Sequence, residues 1–591
     1  MSDTPKLAPF KNQSESFTAF KDDNSYYVDK TDIIPYLIES GHGICVFTRP
    51  RRFGKTLMLR TLKTFFEYRL DDDGKPVDNR RYFEGLKVMQ SGENVLKHFG
   101  QYPVISLSFK DVSGNTYESV LGALRKAVYD ACQAHLALLL NHPALLDEEK
   151  EMFRRYATQK ASEDELKSFL GNMCIWLNRT TSRKTVILLD EYDVPLQQAA
   201  IYDIHHTESE LFERTVKLIG RFISSGYKSN DNLAFGIIAG CMRVAKESIF
   251  TGMNNPGVIT VVDRIPNEFW GFTEAEVKTM LAYYGIEDKY GMLEQWYDGY
   301  EYSGRKVFNP WSLLNAIRGL VSGDGEEAIK PYWCLTSGND IVDDMIDKNP
   351  QHRDALGRLM NGATMIVPVF ENLSYRDLQQ NPEAIWSFLL FTGYLKSLTV
   401  RKNDDDLLEA EVAIPNREIL TVMKSAMRNW WKNKHLAHYN AKPLVQALCS
   451  GDAAGIEREI NAIMNNSISV KDAKEDFYHG MLVGVLNTQC IVKSNRESGE
   501  GFPDIIAIKG NQAAILELKC LLASVLEKIP QNERYSRIPG MMQNLLDEAE
   551  TQIRTRKYAE GLRFEYPIVQ EAKSYAICFC RKMCKVRAIE S

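Results

Sequence analysis

The chain has 591 residues, 44% of them hydrophobic and 25% charged, which are ordinary values for a globular protein of about four domains. Its net charge of −6 excludes a bulk electrostatic attraction to nucleic acid, so any nucleic-acid site has to be a local basic patch. The 11 cysteines have no regular spacing and no apolar run reaches the ~18 residues that span a bilayer, which predicts a cytoplasmic protein without a membrane segment.

The first predicted element that carries chemistry is a strand, loop and helix near the N-terminus. The apolar run 44–48 is β-prone, and the sequence RPRRFGKT leads from it into an amphipathic helix. In this context backbone N–H groups at the helix start bind phosphate, Lys55 reaches the β- and γ-phosphates, and the Thr56 hydroxyl binds magnesium. Arg49 stands where the usual motif has its first glycine, which leaves the loop conformation open. The predicted nucleotide-binding residues of the loop are Arg52, Phe53, Gly54, Lys55 and Thr56.

A second apolar strand ends in two acidic residues, Asp190 and Glu191, within the sequence TVILLDEYD. This is a Walker B pattern, in which Asp190 holds magnesium and Glu191 polarises the attacking water. The alternative is an acidic cap on a buried strand. A third apolar strand, 233–240, is expected between the other two in one parallel sheet. Cys241 or Arg243 at its tip is a candidate γ-phosphate sensor, and a surface charge is the alternative for the arginine.

The middle of the chain is predicted to be mainly helical. Thr273 followed by Glu276 forms a capping box that begins a helix, and an aromatic-rich segment follows at 296–312. Such aromatic residues form either a base-stacking surface or core, and core is the prediction here. A β-hairpin around the acidic turn 404–406 follows an apolar helix, which resembles a winged helix. The acidic turn argues against a contact between this hairpin and phosphate.

Two carboxylates and a lysine near the C-terminus form the most informative pattern. The sequence FPDIIAIKGNQAAILELK contains two β-prone runs around Gly510 and Asn511, a two-residue hairpin turn. A turn centred there pairs Asp504 with Glu517 and points Lys519 to the same face. Opposed carboxylates in an apolar hairpin repel each other unless a divalent cation lies between them. Both acids are therefore predicted metal ligands, with the lysine placed to orient a water, and solvated charges on a hairpin are the alternative.

The spacing D-x12-E-x-K resembles the core hairpin of the PD-(D/E)xK nuclease superfamily. That resemblance adds Glu475, on the preceding helix, as a further catalytic carboxylate, and Gln552 and Tyr558 on the helical segment that follows. Over nearly its full length the chain resembles bacterial AAA-ATPase-like proteins fused to such a nuclease domain, in which the arginine-containing phosphate loop is usual. The motifs of this resemblance are YYVDKT, RPRRFGKT, LLDEYD, GCMRVAKESIFTGMNN, WYDGYEY, FNPWS and YWCLTSGN.

Motifs and resemblance together predict an α/β protein with three regions: a P-loop NTPase parallel sheet at 1–265, a helical, winged-helix-like region at 266–469, and a PD-(D/E)xK nuclease-like domain at 470–591. The expected function is ATP hydrolysis coupled to metal-dependent phosphodiester cleavage in DNA or RNA. ATP and Mg²⁺ are the expected cofactors, with Mn²⁺ as an alternative at the nuclease site; no membrane partner is expected and a homo-oligomer is left open. The rival is a nucleotide-switched regulatory or interaction protein whose nuclease fold is inactive or only binds.

Overall fold

The structure is a computed structural model that describes residues 16–71, 74–206, 209–242, 253, 256–263, 269–302, 305–333, 350–360, 362–371, 373, 377–435, 441–465, 475–486, 489–494, 503–522, 525–526, 528–556, 558–566 and 568–589. These residues divide into two units, one drawn from 1–337 and 362–421 and the other from 338–361 and 422–591. The boundaries near 265 and 470 stay predictions.

A parallel sheet organises the N-terminal region. Within the described ranges its strands are β1 (Ile44–Thr48), β2 (Val104–Ser108), β3 (Thr185–Asp190), β4 (Leu233–Gly240) and β5 (Gly257–Ile259). Their order is β2-β3-β4-β1-β5, and β4 pairs in parallel with both β1 and β3, which confirms the predicted sheet order. Every residue of β1 and β3 is buried, so both faces of the sheet are covered. The phosphate loop and the Walker B acids therefore leave the same carboxyl edge.

Amphipathic helices bury their apolar positions in this region. In the helix Lys55–Phe66, for example, Leu59, Leu62, Phe65 and Phe66 are buried at helical spacing. Burying each such side chain stabilises the fold by about 1.5–3 kcal/mol. The helices before residue 266 are Phe17–Asp22, Ile33–Glu39, Lys55–Phe66, Glu93–Leu96, Tyr117–Gln133, Leu136–Leu140, Asp147–Tyr156, Glu163–Thr181, Val194–His205 and Leu211–Tyr227, with 3₁₀ turns at Arg80–Tyr82 and Lys87–Gln90.

The middle of the chain is mainly helical, as predicted. The capping box is confirmed, because Thr273 N donates to Glu276 Oε2 at 2.8 Å and Glu276 N donates to Thr273 Oγ1 at 3.4 Å. The helices here are Glu274–Tyr284, Tyr290–Tyr297, Pro310–Ser322, Pro350–Met360, Asp377–Gln380, Ala384–Thr392, Arg417–His435, Lys442–Ser450 and Ala453–Asn465, with 3₁₀ turns at Glu287–Lys289 and Gly325–Ala328.

Two small antiparallel sheets accompany these helices. One contains β6 (Phe272–Thr273), β7 (Tyr300–Tyr302) and β8 (Arg305–Phe308) in the order β6-β8-β7. The other contains β9 (Met365–Pro368), β10 (Lys396–Lys402) and β11 (Leu408–Ala413) in the order β10-β11-β9. The predicted hairpin at the acidic turn is thus confirmed. Its third strand, β9, was not predicted, because its four residues end in proline and are too short to show alternation.

A mixed sheet forms the C-terminal region. Its strands are β12 (Ile491–Ser494), β13 (Ile505–Lys509), β14 (Gln512–Cys520), β15 (Glu571–Cys580) and β16 (Met583–Ile589), in sequence order across the sheet. Only the β14–β15 pair is parallel within the described ladders. The helices of this region are Glu475–Leu486, Arg534–Arg556 and Tyr558–Glu565. No helix in the described part of the chain is long and apolar enough to cross a bilayer.

Candidate active sites

The phosphate loop connects β1 to the helix Lys55–Phe66. Gly54 adopts a φ of 80°, a left-handed conformation that only glycine reaches without steric cost. The Lys55 ammonium donates to the carbonyl oxygens of Arg49 and Pro50, each at 2.9 Å, and so lies across the mouth of the loop. The first N–H groups of a helix have no acceptor within their own helix, so the start of this helix suits an anion.

Arg49 explains how the loop folds without its usual first glycine. The backbone φ of Arg49 is not positive, so this position does not require glycine. The side chain is fully buried, and Nη1 donates to the carbonyl oxygens of Thr48 at 2.7 Å and Ile259 at 3.0 Å. The guanidinium also lies 5.9 Å from the ring centroid of Trp270. Arg49 therefore fastens the start of the loop to β5 rather than facing phosphate.

The other loop residues contact neighbouring elements. Arg51 donates to Gln197 Oε1 at 2.9 Å, and the Arg52 guanidinium lies 4.4 Å from the centroid of the Trp311 ring. Phe53 packs edge-on against Tyr300 at a centroid distance of 5.0 Å. Tyr300 and Trp311 of the aromatic-rich segment thus pack against the phosphate loop, which supports the prediction that these aromatic residues form core.

The Walker B acids meet the loop at the carboxyl edge of the sheet. Thr56 Oγ1 donates to Asp190 Oδ2 at 2.6 Å, so the two predicted magnesium ligands of this site are in contact. Glu191 follows with a φ of 52°, a left-handed conformation that costs a non-glycine residue about 1–3 kcal/mol and is characteristic of functional positions. Burial raises the pKa of the Glu191 carboxyl above its ordinary value, and the charge of Asp190 adds to this effect while Lys55 opposes it.

Of the two sensor candidates, Cys241 can be placed. The Lys55 ammonium donates to Cys241 Sγ at 3.6 Å, so the tip of β4 touches the lysine that is predicted to bind phosphate. Arg243 lies outside the described residues. The contact could not be read from the sequence, because Cys241 and Lys55 approach only through the crossover of β4 beside β1.

The C-terminal hairpin has the predicted register. Lys509 pairs with Gln512 and Ile505 with Leu516, so the loop is Gly510-Asn511. Gly510 has a φ of 63°, as the first position of a two-residue hairpin loop requires.

Asp504 lies directly before β13 and faces the strand that carries Glu517. Its Oδ2 accepts a hydrogen bond from Leu518 N at 2.7 Å, which places the carboxylate beside the Glu517–Lys519 segment. His479 Nε2 lies 3.0 Å from the carbonyl oxygen of Asp504, a contact from the preceding helix that the sequence did not indicate.

Glu517 and Lys519 share one side of the hairpin, as predicted. The Glu517 side chain is 1% exposed, and its Oε1 accepts from Lys519 Nζ at 3.2 Å. Lys519 also donates to Gln552 Oε1 at 3.1 Å, and Gln552 Nε2 donates to the Tyr558 hydroxyl at 3.2 Å. Burial raises the pKa of Tyr558, the hydrogen bond with Gln552 opposes this, and the charges of Glu517 and Asp504 raise it further.

The remaining predicted carboxylate is Glu475. It is the first residue of the helix Glu475–Leu486, but its side chain lies outside the described part of the structure. Across the described ranges, no group of three or more His, Cys, Asp or Glu side chains converges as a metal site. Asp504 and Glu517 are thus the two described acids of the hairpin site.

Comparisons with known proteins match two separate segments of the chain. The family described as "Predicted AAA-ATPase" matches residues 13–250, and the PD-(D/E)XK nuclease superfamily matches residues 473–588. A protein of Azotobacter chroococcum mcd 1, described as an uncharacterized protein in the vnfD 5′ region, is 27% identical over 341 residues. That alignment covers 57% of this chain and 56% of the relative, so the chain matches a little over half of that protein. No solved structure matches. The chain therefore carries a predicted AAA-ATPase-like domain at residues 13–250 and a PD-(D/E)XK nuclease superfamily domain at residues 473–588.

Proposed function

We propose that the chain hydrolyses ATP at the phosphate loop and cleaves phosphodiester bonds of nucleic acid at the C-terminal hairpin. The observation that carries the proposal is the Lys519 ammonium on the buried Glu517 carboxylate, 3.2 Å away, beside Asp504. Two acids and a lysine held together on a hairpin can stabilise the charge that develops when a phosphodiester bond is cleaved.

Both sites suit a divalent cation. The Thr56 hydroxyl and the Asp190 carboxylate are hard oxygen donors already 2.6 Å apart. Asp504 and Glu517 supply carboxylate oxygens at the hairpin, where Glu517 is buried and pairs with Lys519. When bound, Mg²⁺ or Mn²⁺ would polarise a phosphate oxygen and lower the pKa of a coordinated water.

At the hairpin, Lys519 is the group placed to act on the attacking water. Its ammonium is held by Glu517 and Gln552, and Gln552 is itself held by Tyr558. This chain of hydrogen bonds fixes the lysine's long side chain, so that little rotamer freedom has to be lost when substrate arrives. The positive charge can stabilise the negative charge that develops on phosphate.

At the phosphate loop, Glu191 is the proposed base. Its raised pKa makes the ionised carboxylate a stronger proton acceptor, and the left-handed backbone holds it next to Asp190. Lys55 would exchange its carbonyl contacts for phosphate oxygens. ATP hydrolysis would gate substrate access or move substrate, and a homo-oligomer stays a prediction.

The test is a cleavage panel of plasmid, linear duplex, single-stranded DNA and RNA with Mg²⁺ or Mn²⁺, each with and without ATP. We expect cleavage of at least one substrate by the full-length protein. Glu517→Ala should reduce it to background and Lys519→Ala should slow it by at least ~100-fold, since general acid–base and charge contributions are of that size. The matched control is Glu548→Ala, an exposed glutamate on the helix Arg534–Arg556, which should cleave like the wild type.

Two results would reject the nuclease half of the proposal. One is no cleavage of any substrate under any metal and ATP condition, together with retained nucleic-acid binding; this would favour the nucleotide-switched binding protein. The other is cleavage that Glu517→Ala leaves unchanged, which would locate the activity elsewhere.

A further inference from the structure

Tyr192 and Asp193 directly follow the Walker B acids and bind the tip of β4, which consists of Cys241 and Met242. Asp193 Oδ2 accepts hydrogen bonds from Cys241 N at 2.9 Å and from Met242 N at 3.1 Å. The Tyr192 hydroxyl donates to the carbonyl oxygen of Met242. Both side chains are buried, with Tyr192 at 0% and Asp193 at 2% exposure. The tip is therefore attached to the segment that carries Glu191 by three hydrogen bonds to two buried side chains.

The use of Asp193 for this purpose is unusual for its position. It directly precedes the helix Val194–His205, where an aspartate usually accepts from N–H groups of its own helix. Here its side chain makes no such cap bond. Its carboxylate is instead committed to the tip of β4, more than 40 residues further along the chain.

The end of β4 packs closely against Tyr192 and Asp193. A Cβ atom at Gly240 would lie 2.5 Å from Tyr192 Cε1 and 2.7 Å from Asp193 Oδ1. A glycine at the end of β4 thus lets the tyrosine and the aspartate approach the backbone of the tip.

The same tip touches the phosphate loop. Cys241 Sγ accepts from Lys55 Nζ at 3.6 Å, while Lys55 also donates to the carbonyl oxygens of Arg49 and Pro50. The tip therefore lies between the phosphate-binding lysine on one side and the Glu191 segment on the other.

We infer that Tyr192 and Asp193 are positioning residues for ATP hydrolysis. They fix the Cys241–Met242 tip against Lys55, so that a displacement of Lys55 by the γ-phosphate is transmitted to the segment that holds Glu191. This inference rests on the proposed ATPase function. It assigns the pair a role in the hydrolytic step and in the distinction between ATP and ADP, beyond holding the fold together.

The test compares Tyr192→Phe, Asp193→Ala and Asp193→Asn with the wild type in the full-length protein. Asparagine keeps one carbonyl oxygen for the two N–H donors, so it serves as the rescue variant. The readouts are kcat and KM for Mg-ATP, the Kd values of ATP and ADP, and the Tm. Tyr202→Phe, a similar change on the next helix, is the matched control, and Glu191→Gln is the inactive reference.

We expect kcat to fall about 3–10-fold in Tyr192→Phe and at least ~30-fold in Asp193→Ala, in line with misplacement of a catalytic group. The Kd of ADP should stay within about twofold while the Kd of ATP rises, so the preference for ATP over ADP should shrink. Asp193→Asn should recover most of the loss of kcat, because positioning acts on the hydrolytic step. Wild-type kcat in Tyr192→Phe and Asp193→Ala would overturn the inference. So would a loss of kcat that is matched by equal losses in ADP affinity and Tm, since this would be a structural role. A wild type no faster than Glu191→Gln would instead reject the ATPase proposal itself.

Discussion

The two candidate sites differ in how far apart their residues lie along the chain. The hairpin site brings together Asp504, Glu517 and Lys519 through one turn. The phosphate-loop site combines residues near 50, 190 and 240, which meet only because β4 lies between β1 and β3. A local site follows from register alone, whereas a distributed site depends on contacts that the whole sheet has to create. We therefore expect substitutions at the hairpin site to disturb one turn, and substitutions at the phosphate-loop site to disturb contacts between distant parts of the chain.

The largest expected effects test whether distant residues act on one nucleotide. Lys55→Ala should weaken ATP binding by at least ~100-fold, because the phosphates lose their cation. Glu191→Gln should bind ATP like the wild type and lose hydrolysis by at least ~100-fold, because only the base is removed. Calorimetric titration and phosphate release measure the two effects, with Lys63→Ala on the same helix as control. Equal loss of binding in both variants would give Glu191 a structural role.

The next prediction concerns the unusual start of the loop. Arg49→Gly restores the usual motif but leaves the carbonyl oxygens of Thr48 and Ile259 without this buried donor and opens a cavity beside Trp270. We expect a loss of about 3 kcal/mol in unfolding free energy. Arg49→Met, which keeps most of the volume, should lose about half as much. Denaturant unfolding checks this, and a glycine variant as stable as the wild type would show that the arginine contacts are dispensable.

Glu418 is a second buried glutamate in the described residues and offers a contrast with Glu517. Glu418 is 1% exposed and accepts from the backbone N–H groups of Tyr332 at 2.7 Å and Trp333 at 2.9 Å. Burial raises its pKa from the ordinary 4.5 to about 7. The folded state then binds a proton that the unfolded state releases, so stability falls as pH rises through this interval.

Glu418→Gln removes the free-energy cost of ionising a buried carboxyl group and keeps an acceptor oxygen. The variant should gain about 2 kcal/mol over the wild type at pH 8 and much less at pH 5. Thermal unfolding of both proteins at the two pH values measures the difference. A gain of the same size at pH 5 and pH 8 would mean that ionisation of Glu418 is not its cause.

The smallest effect tests the local site. Gly510→Ala places a Cβ at a φ of 63° and should cost about 1 kcal/mol of nuclease-domain stability. The matched control is Gly540→Ala, inside the helix Arg534–Arg556, where the added Cβ would lie within 4 Å of no side chain or backbone beyond its immediate helical neighbours. It should gain about 0.5–1 kcal/mol, because alanine favours helix. Equal effects of the two substitutions would argue against a strained turn.

The sequence predicts most of the architecture, because strand order, hairpin register and capping box each follow from short patterns. It also predicts that Thr56 and Asp190 serve one magnesium ion and that Lys519 lies on the same face of the hairpin as Glu517. It does not predict the burial of Arg49 under Trp270, the contact of Cys241 with Lys55, or the approach of His479 to Asp504. Each of these depends on tertiary packing between elements whose separate patterns carry no sign of it.

The stacking of Arg52 on Trp311, 4.4 Å apart, gives the phosphate loop an optical reporter of its own. Indole emission responds to a charge at the ring face, so a nucleotide phosphate that attracts Arg52 should alter the intensity or colour of Trp311 fluorescence without any added label. Trp311→Phe should remove that part of the signal. Emission that is the same before and after saturation with Mg-ATP would mean that the guanidinium keeps its place on the ring.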